Sequence, residues 1–407
     1  MGREHKPYAP KVENIELSEK HVKLRWILVC VLIAVAVVAI LIGVFGSRQK
    51  AGWYTVESES SDLHCGHEFL LKYEFGAGEK SATEESKELR KLYTALTEKA
   101  WQLFYHEAGA SQWGNLYHIN THPNEAVSID PALYEALKVL ESSNSRLHYL
   151  GPVYAAYDQV FYAGDSFLAA QCDPGQDEEI RQYVQQLAQF AADPNAISLE
   201  LRENSQVFLY VSDAYKAFLD ENMVETYIDF GWLRNAVIID YMARRLAEEG
   251  YTAANLTSMD GFARNLDPRG VSYQLSIFNR RQENTELVAA MEYSNPTSMV
   301  YLRTYDSSKA YSFQDGRVVT YFADLADGQC KAALPNLVSY SETAGCTEIA
   351  LQVAPSFIAY NFSPSGLNAL ADTGIYSIWF EDNILRYNQE NLQFTPRNDA
   401  YIISFTK

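Results

Sequence analysis

Residues 26–45 (WILVCVLIAVAVVAILIGVF) form an uninterrupted apolar run of twenty residues without a single charge. A helix of this length rises about 30 Å, close to the thickness of the hydrocarbon core of a bilayer. A buried helix of a soluble domain usually keeps a polar face, and this run has none. The sequence therefore predicts one transmembrane helix over residues 26–45, preceded by a short tail at residues 1–25.

The basic residues around this run predict its orientation. Arg48 and Lys50 follow the run closely, whereas six basic residues precede it: Arg3, Lys6, Lys11, Lys20, Lys23 and Arg25. Basic flanks stay on the cytoplasmic side, so we expect a cytoplasmic N-terminus and a C-terminal domain outside the cell membrane. A cleaved signal peptide is the weaker alternative, because the run is long and no small-residue cleavage site follows it.

The charge of the remaining chain limits its partners. Residues 51–407 carry 48 acidic and 25 basic side chains, a formal charge of −23. A surface of this sign repels nucleic acid and anionic lipid. It is typical of a well-solvated domain in an exterior compartment.

Several segments predict helices and strands by their periodicity. Residues 46–62 are interpreted as a linker and residues 63–407 as the extracytoplasmic domain. Residues 65–75 fit a strand. Residues 81–106 and 177–192 fit helices. A further helix is predicted to start at Pro131, with Asp130 as its N-cap and Leu133, Leu137 and Leu140 on one face.

The stretch from residue 225 to residue 257 is interpreted as strand, helix and strand. Residues 225–230 fit a strand, residues 232–249 repeat apolar side chains at helical spacing, and residues 251–257 fit a second strand. Gly250 is well placed to end the helix. The C-terminal half alternates apolar and polar residues in five further segments, 272–278, 299–302, 317–322, 376–380 and 400–405. The predicted class is α+β, or mixed α/β.

Seven segments resemble, in the same order, motifs of one known family. They are residues 114–120 (GNLYHIN), 129–134 (IDPALY), 150–153 (LGPV), 229–236 (DFGWLRNA) with Asp240, 258–264 (SMDGFAR), 321–328 (YFADLADG) and 347–352 (TEIALQ). The chain thereby resembles the ApbE-type FAD:protein FMN transferases over most of residues 54–395. The resemblance implies the ApbE-like flavin-transferase fold, and the bacterial and extracytoplasmic setting agrees with the predicted anchor.

The resemblance also implies ligands and site residues. Members of this family cleave FAD and attach FMN to a threonine of a partner protein with the help of magnesium. Carried over by motif, the cofactor-binding positions are Asn120, Gly151, Asp229, Gly231, Asp240, Gly261, Tyr321 and Asp324, and the metal positions are Glu348 and Asp260. FAD, Mg²⁺ and a surface redox protein are therefore the expected ligands and partner, if binding is retained.

The departures from the motifs bear on that chemistry. Trp232 replaces a glycine that lets a ligand approach the backbone, and Asn235 replaces the motif lysine. Glu348 replaces a metal-binding aspartate, and Gln352 replaces a threonine. The catalytic residues stay unassigned. The favoured hypothesis is a degenerate, non-catalytic paralogue that binds a nucleotide or a partner. The alternatives are an active transferase with a relocated metal site, and a structural subunit of a membrane redox complex.

Cysteine and histidine patterns leave two further possibilities open. A disulfide between Cys330 and Cys346 is compatible with an exported domain. The sequence His64-Cys65-Gly66-His67 holds three potential metal ligands in four residues, a spacing that rarely closes a site without a distant partner.

Overall fold

A computed structural model describes residues 27–36, 49–60, 64–78, 80–106, 114–281, 284–305 and 310–406. The chain divides into two compact units, Met1–Lys50 and Ala51–Lys407. In the first unit, residues 27–36 are helical. The predicted tail and half of the predicted transmembrane span lie outside the described residues. Within the described part, no helix reaches the length and apolarity needed to cross a bilayer.

The second unit is built on a nine-stranded sheet. Its strands are β1 (Gly52–Val56), β2 (Phe69–Phe75), β6 (Ala254–Ser258), β7 (Phe262–Asn265), β10 (Thr297–Arg303), β13 (Asn336–Ser341), β14 (Tyr376–Glu381), β15 (Ile384–Tyr387) and β17 (Ile402–Phe405). They pair in that order, and all pairs are antiparallel except β15 with β17.

Smaller sheets and helices surround it. Strands β3 (Ala126–Ser128), β5 (Gln206–Val211) and β4 (Ile197–Arg202) form one sheet, and β16 (Phe394–Pro396), β9 (Asn284–Tyr293) and β8 (Tyr273–Arg281) form another. Strands β11 (Ala310–Ser312) and β12 (Val318–Thr320) form a hairpin. The α-helices are α1 (Ala82–Phe104), α2 (Leu116–Thr121), α3 (Pro131–Ser142), α4 (Gly151–Phe161), α5 (Ser166–Gln171), α6 (Glu178–Ala192), α7 (Asp213–Glu221), α8 (Arg234–Glu248), α9 (Cys346–Phe357) and α10 (Pro364–Ala371).

The two faces of the large sheet bury different cores. Alternate residues of a strand point to opposite faces. Val300 of β10 and Trp379 of β14 accordingly pack into the main core with the helices. Their neighbours Met299 and Ile378 pack into a second core against β8 and β9. The alternation predicted from sequence for these strands therefore lets the large sheet pack on helices with one face and on the β8–β9 sheet with the other. The domain accordingly has three layers.

Several predicted elements are confirmed with small shifts at their ends. Helix α1 lies within residues 81–106, with the Ser81 side chain accepting from the Glu84 amide. Asp130 caps α3, and Asp177 caps α6. Gly250 ends α8 with a φ of +83°, a conformation that favours glycine.

Two predictions are wrong. Residues 225–230 are not a strand, because their amides bond to the Asn120 side chain and to the His148 carbonyl instead of a strand partner. The predicted strand–helix–strand unit is therefore absent here. The predicted linker also fails in part, since Gly52–Val56 pairs with β2 as the edge strand of the sheet. Its Trp, Tyr, Thr and Val residues suit a half-buried strand.

Candidate functional site

A cleft of about 210 Å³ lies where five separate segments meet; we call it the central cleft. Glu68 precedes β2, Tyr105 and His106 follow α1, and Asp229 opens the loop before α8. The wall is completed by α4 with the following residue, and by Tyr321 after β12. Side chains from distant parts of the sequence therefore face one space.

Asp229 is the charged centre of the central cleft. Its side chain is 3% exposed, and it accepts bonds from Arg234 Nη2 at 3.0 and 3.2 Å. His106 Nδ1 and the Gly231 amide also contact its carboxylate. Burial alone would raise the pKa of Asp229, but the Arg234 charge and the His106 bond hold it well below its usual range. Asp229 is therefore an ionised carboxylate whose charge is matched inside the protein.

Arg234 is fixed by this pairing. Its guanidinium also lies 4.3 Å from the centre of the Tyr105 ring, a cation–π arrangement. The Tyr105 hydroxyl in turn donates to Glu68 Oε1 at 2.8 Å. The positive charge of Arg234 thus already interacts with Asp229 and with the Tyr105 ring. A cation that binds a phosphate would instead have its charge available to the ligand.

A second carboxylate, Asp158, faces the cleft from α4. It accepts a bond of 2.7 Å from the Tyr321 hydroxyl, and Tyr321 stacks on Phe161 with ring centres 4.0 Å apart. Burial raises the pKa of Asp158, the Tyr321 bond opposes this, and the nearby Asp229 charge raises it further. Asp158 therefore carries a charge that this environment stabilises poorly.

Two glycines let the backbone approach closely at this site. Gly231 has a φ of +53°, and a Cβ there would overlap the Tyr154 ring. A Cβ at Gly151 would lie 3.0 Å from the Asp229 amide nitrogen. Both glycines therefore allow α4 to pack directly on the loop that carries Asp229.

Asn120 supports the same loop from behind. Its amide nitrogen donates to the Ile228 carbonyl, and its oxygen accepts from the Tyr227 and Ile228 amides, all at 2.9 Å. The side chain is buried and imitates a neighbouring strand. Asn120 thus positions Asp229 without itself lining the cleft.

Trp232 forms one wall of the central cleft. It is 4% exposed and packs edge-on against Phe322, with ring centres 5.3 Å apart. Beyond it lies a second, smaller cavity of about 20 Å³ that Trp232 and Tyr321 share with the central cleft. The indole occupies the space between these two cavities, at the position where the resembling motif has a glycine.

Asn235 ties together two carboxylates beside that wall. Its amide nitrogen donates to Glu68 Oε2 at 2.8 Å and to Asp260 Oδ2 at 3.0 Å. Asp260 also accepts a bond of 2.6 Å from Ser258. A neutral amide therefore stands between carboxylates where the motif would place the positive charge of a lysine.

The other residues expected at the site lie elsewhere. Asp240 accepts from the Cys346 and Thr347 amides at 2.9 and 2.8 Å and so caps α9. Gly261 turns the chain between β6 and β7 with a φ of +106°, where a Cβ would overlap the Tyr301 carbonyl oxygen.

Asp324 and Glu348 are also outside the central cleft. Asp324 pairs with Lys331 at 2.7 Å and lines a separate groove. Glu348 is exposed in the first turn of α9. The structure thus brings together Gly151, Asp229, Gly231 and Tyr321, and leaves Asp240, Gly261, Asp324 and Glu348 at other positions.

The cleft residues that were not identified from sequence include His106, Asp158 and Arg234. His106 and Asp229 are 123 positions apart, and no spacing rule connects them. Arg234 stands within a recognised motif segment, so its charge next to a retained Asp was a signal available in the sequence.

The central cleft is small for the cofactor that the resemblance implies. FAD is a dinucleotide of drug size or larger, and pockets for such ligands measure about 300–1,000 Å³. The central cleft is smaller, and Trp232 closes its extension. In the described part of the chain, no three His, Cys, Asp or Glu side chains gather as a metal site would require.

The cysteines are free thiols. Cys65 is buried, its thiol donates to the Thr97 carbonyl, and burial raises its pKa to about 12. His64 stacks on Trp101. Cys346 is buried against the Ala263 carbonyl, and its thiol is not bridged to Cys330. These contacts indicate packing roles for the residues of the His-Cys-Gly-His sequence and for Cys330 and Cys346.

Comparison with known proteins identifies the fold. No family model and no curated protein matches the sequence. Among solved structures, the flavin transferase ApbE from Vibrio cholerae is similar with a TM-score of 0.54 and 11% identity, over 86% of this chain and 99% of that one. The ApbE protein from Thermotoga maritima is similar with a TM-score of 0.53 and 13% identity, over 84% and 96%. The ApbE-like fold expected from the motifs is confirmed.

Proposed function

We propose that the domain is a non-catalytic member of the ApbE-like fold, which binds a ligand or partner at the outer face of the cell membrane. The observation that carries the proposal is the position of Trp232. Its indole fills the space between the two cavities and leaves a cleft of about 210 Å³ in place of a dinucleotide site.

The charges around the cleft support the same proposal. Phosphoryl-type chemistry depends on cations and metal that stabilise developing negative charge. Here Arg234 is bound to Asp229, and Asn235 stands in place of the motif lysine. A diphosphate entering this cleft would meet the carboxylates of Glu68 and Asp158, and the Arg234 guanidinium that lines the cleft is already bound to Asp229.

The apolar run at residues 26–45 supports the tether. Its length suits one bilayer crossing, and the basic residues before it favour a cytoplasmic N-terminus. Protease treatment of intact spheroplasts tests this arrangement. Digestion of the domain without lysis is the expected result, and protection until lysis would overturn the proposed topology.

Release of AMP from FAD tests the absence of catalysis. The full chain is purified in detergent and incubated with FAD and Mg²⁺, with the Vibrio cholerae flavin transferase as a positive control. We expect AMP from the control and none above background from this chain. Magnesium-dependent release of AMP by this chain, absent in EDTA, would overturn the proposal in favour of an active transferase.

A further inference from the structure

We infer that His118 and His122 form a binding site for a divalent transition-metal ion such as Zn²⁺ on the surface of the domain. The two residues stand one helical turn apart at the end of α2, and the residues lining the central cleft do not include them. The inference goes beyond the proposed function, because it concerns a different part of the domain. It is carried by the contact between the two rings, by the tautomer of His122 and by the anchored backbone around them.

The two imidazoles lie against each other. Their ring centres are 4.3 Å apart, with an angle of 48° between the ring planes, and both residues are half-buried. Two histidines four positions apart around a helical turn are a spacing that binds Zn²⁺ in other proteins. Two nitrogens that bind one Zn²⁺ at about 2.0–2.1 Å lie about 3 Å from each other. The observed contact is compatible with this separation.

The tautomer of His122 leaves one of its ring nitrogens available. Its Nδ1 lies 3.0 Å from the His118 carbonyl oxygen and 3.1 Å from the Thr121 hydroxyl oxygen. A carbonyl oxygen can only accept a hydrogen bond, so Nδ1 carries the hydrogen and the neutral ring presents the lone pair of Nε2. Histidines that bind metals usually donate their other ring N–H to a carbonyl or a carboxylate in this way.

The ring of His118 is available as well. Within the described residues, neither of its ring nitrogens has a hydrogen-bond partner, whereas its carbonyl accepts from His122. A histidine at the end of a helix often binds the last carbonyl groups, which accounts for His122 alone. It does not account for a second imidazole against the first, since the two rings repel each other when both are protonated. A metal ion shared by the two neutral rings makes their contact favourable.

The backbone that carries both rings is held on each side. Asn115 caps α2, because its side chain accepts from the His118 amide at 2.9 Å. After His122, the Asn124 side chain donates to the Val211 carbonyl at 2.8 Å and accepts from the Val211 amide at 2.9 Å. A site on backbone that is already ordered loses less conformational entropy when its ligand binds. The two rings are thus positioned before a metal ion arrives.

The ligand chemistry favours a transition metal over magnesium or calcium. Imidazole nitrogen suits Zn²⁺, Ni²⁺ and Cu²⁺, whereas Mg²⁺ and Ca²⁺ prefer oxygen ligands. Glu125 is exposed and lies close enough to His118 for its negative charge to act on that ring, which favours a cation there. No third His, Cys, Asp or Glu side chain of the described residues closes the site. Water would fill the remaining positions of this open site.

Titration calorimetry with ZnCl₂ tests the inference. The full chain, purified in maltoside detergent without a histidine tag, is titrated at about pH 7.5, where imidazole is mostly neutral. The titration is repeated in an excess of Mg²⁺. We expect saturable binding of one Zn²⁺ per chain at micromolar concentration, and the excess of Mg²⁺ should leave it unchanged. Absence of saturation up to millimolar Zn²⁺, or loss of binding in Mg²⁺, would overturn the inference.

Variants of the two histidines locate the site. His118→Gln and His122→Gln each remove one imidazole and keep a side chain of similar size. Each should weaken Zn²⁺ binding at least about tenfold. Thermal unfolding in EDTA checks that both variants fold as wild type does. Unchanged binding in His118→Gln, with a loss in His122→Gln alone, would leave His122 with a capping role only and would overturn the inference.

Control variants address the other accessible histidines. His67→Gln tests the His-Cys-Gly-His sequence, and the double variant H5Q/H21Q tests the N-terminal tail. Both should bind Zn²⁺ as wild type does. A loss in either control as large as the loss in His118→Gln would place the metal outside the proposed site and would overturn the inference.

Electron paramagnetic resonance with Cu²⁺ identifies the ligand atoms. One equivalent of Cu²⁺ bound to the full chain should show hyperfine coupling to two imidazole nitrogens. The coupling should fall to one nitrogen in His118→Gln and should be absent in the double variant H118Q/H122Q. Coupling to two nitrogens that persists in the double variant would contradict the assignment of these two residues.

Discussion

Arg234 bonds both carboxylate oxygens of Asp229, at 3.0 and 3.2 Å, and Asp229 is almost sealed from solvent. This ion pair joins the loop before α8 to the first residue of that helix. It also neutralises the positive charge of Arg234, which lines the cleft. It connects stability with function, because the charge that a phosphate would need is already used to hold the fold together.

Replacing Arg234 by Met should destabilise the domain by about 3–5 kcal/mol, because Asp229 would stay buried without its main counter-charge. Urea unfolding of the full chain, followed by near-UV circular dichroism, measures the change. The matched control is Arg202→Met. Arg202 pairs with Glu200 on the surface, and its loss should cost less than about 1 kcal/mol. Equal losses in the two variants would contradict the buried pair.

The stability contributed by Asp229 should depend on pH. Its folded-state pKa is lowered, so the contribution is complete above the unfolded-state value of about 3.9 and is lost as the pH falls toward the folded value. The free energy of unfolding should therefore differ most between wild type and Asp229→Asn near pH 6. The difference should shrink progressively between pH 4 and pH 3. A difference independent of pH would mean that Asp229 has an ordinary pKa.

Truncating Trp232 to Ala should cost about 3–5 kcal/mol, since it removes a large buried ring and leaves a cavity against Phe322. Trp53→Ala is the control, because Trp53 is 39% exposed on the edge strand and its loss should cost much less. Thermal unfolding of both variants gives the comparison. A Trp232 variant as stable as the Trp53 variant would indicate that the indole is not buried between the two cavities.

The fold could be predicted from sequence where local chemistry decides it. Asp130 before Pro131 and Asp177 before an acidic first turn both begin helices as predicted, because capping depends on neighbouring residues. Residues 225–230 have the composition of a strand. Their backbone partners are Asn120 and His148, which are distant in sequence, so composition alone gave the wrong element.

The site could be predicted in part for the same reason. The motifs placed Gly151, Asp229, Gly231 and Tyr321 together, and the fold brings these four to one cleft. The sequence also identified the missing lysine at Asn235. It could not predict that this amide would bond Glu68 and Asp260, because those residues come from the turn before β2 and from the β6–β7 turn.

Replacing Asp240 by Ala should act on stability. Its carboxylate accepts from two amides at the start of α9, so its loss should cost about 1–2 kcal/mol, as for other helix caps. The same denaturant titration applies, with the exposed Asp399→Ala as the control. A loss of stability no larger than that of the Asp399 variant would contradict the capping role.

Equilibrium dialysis of FAD against the full chain, with and without Mg²⁺, tests the central claim most directly. Because Trp232 fills the extension of the cleft and Arg234 is bound to Asp229, we predict no saturable retention of flavin at micromolar concentration. Saturable, magnesium-dependent binding of one FAD per chain would contradict this account and would restore the flavin site that the ApbE-like fold carries elsewhere.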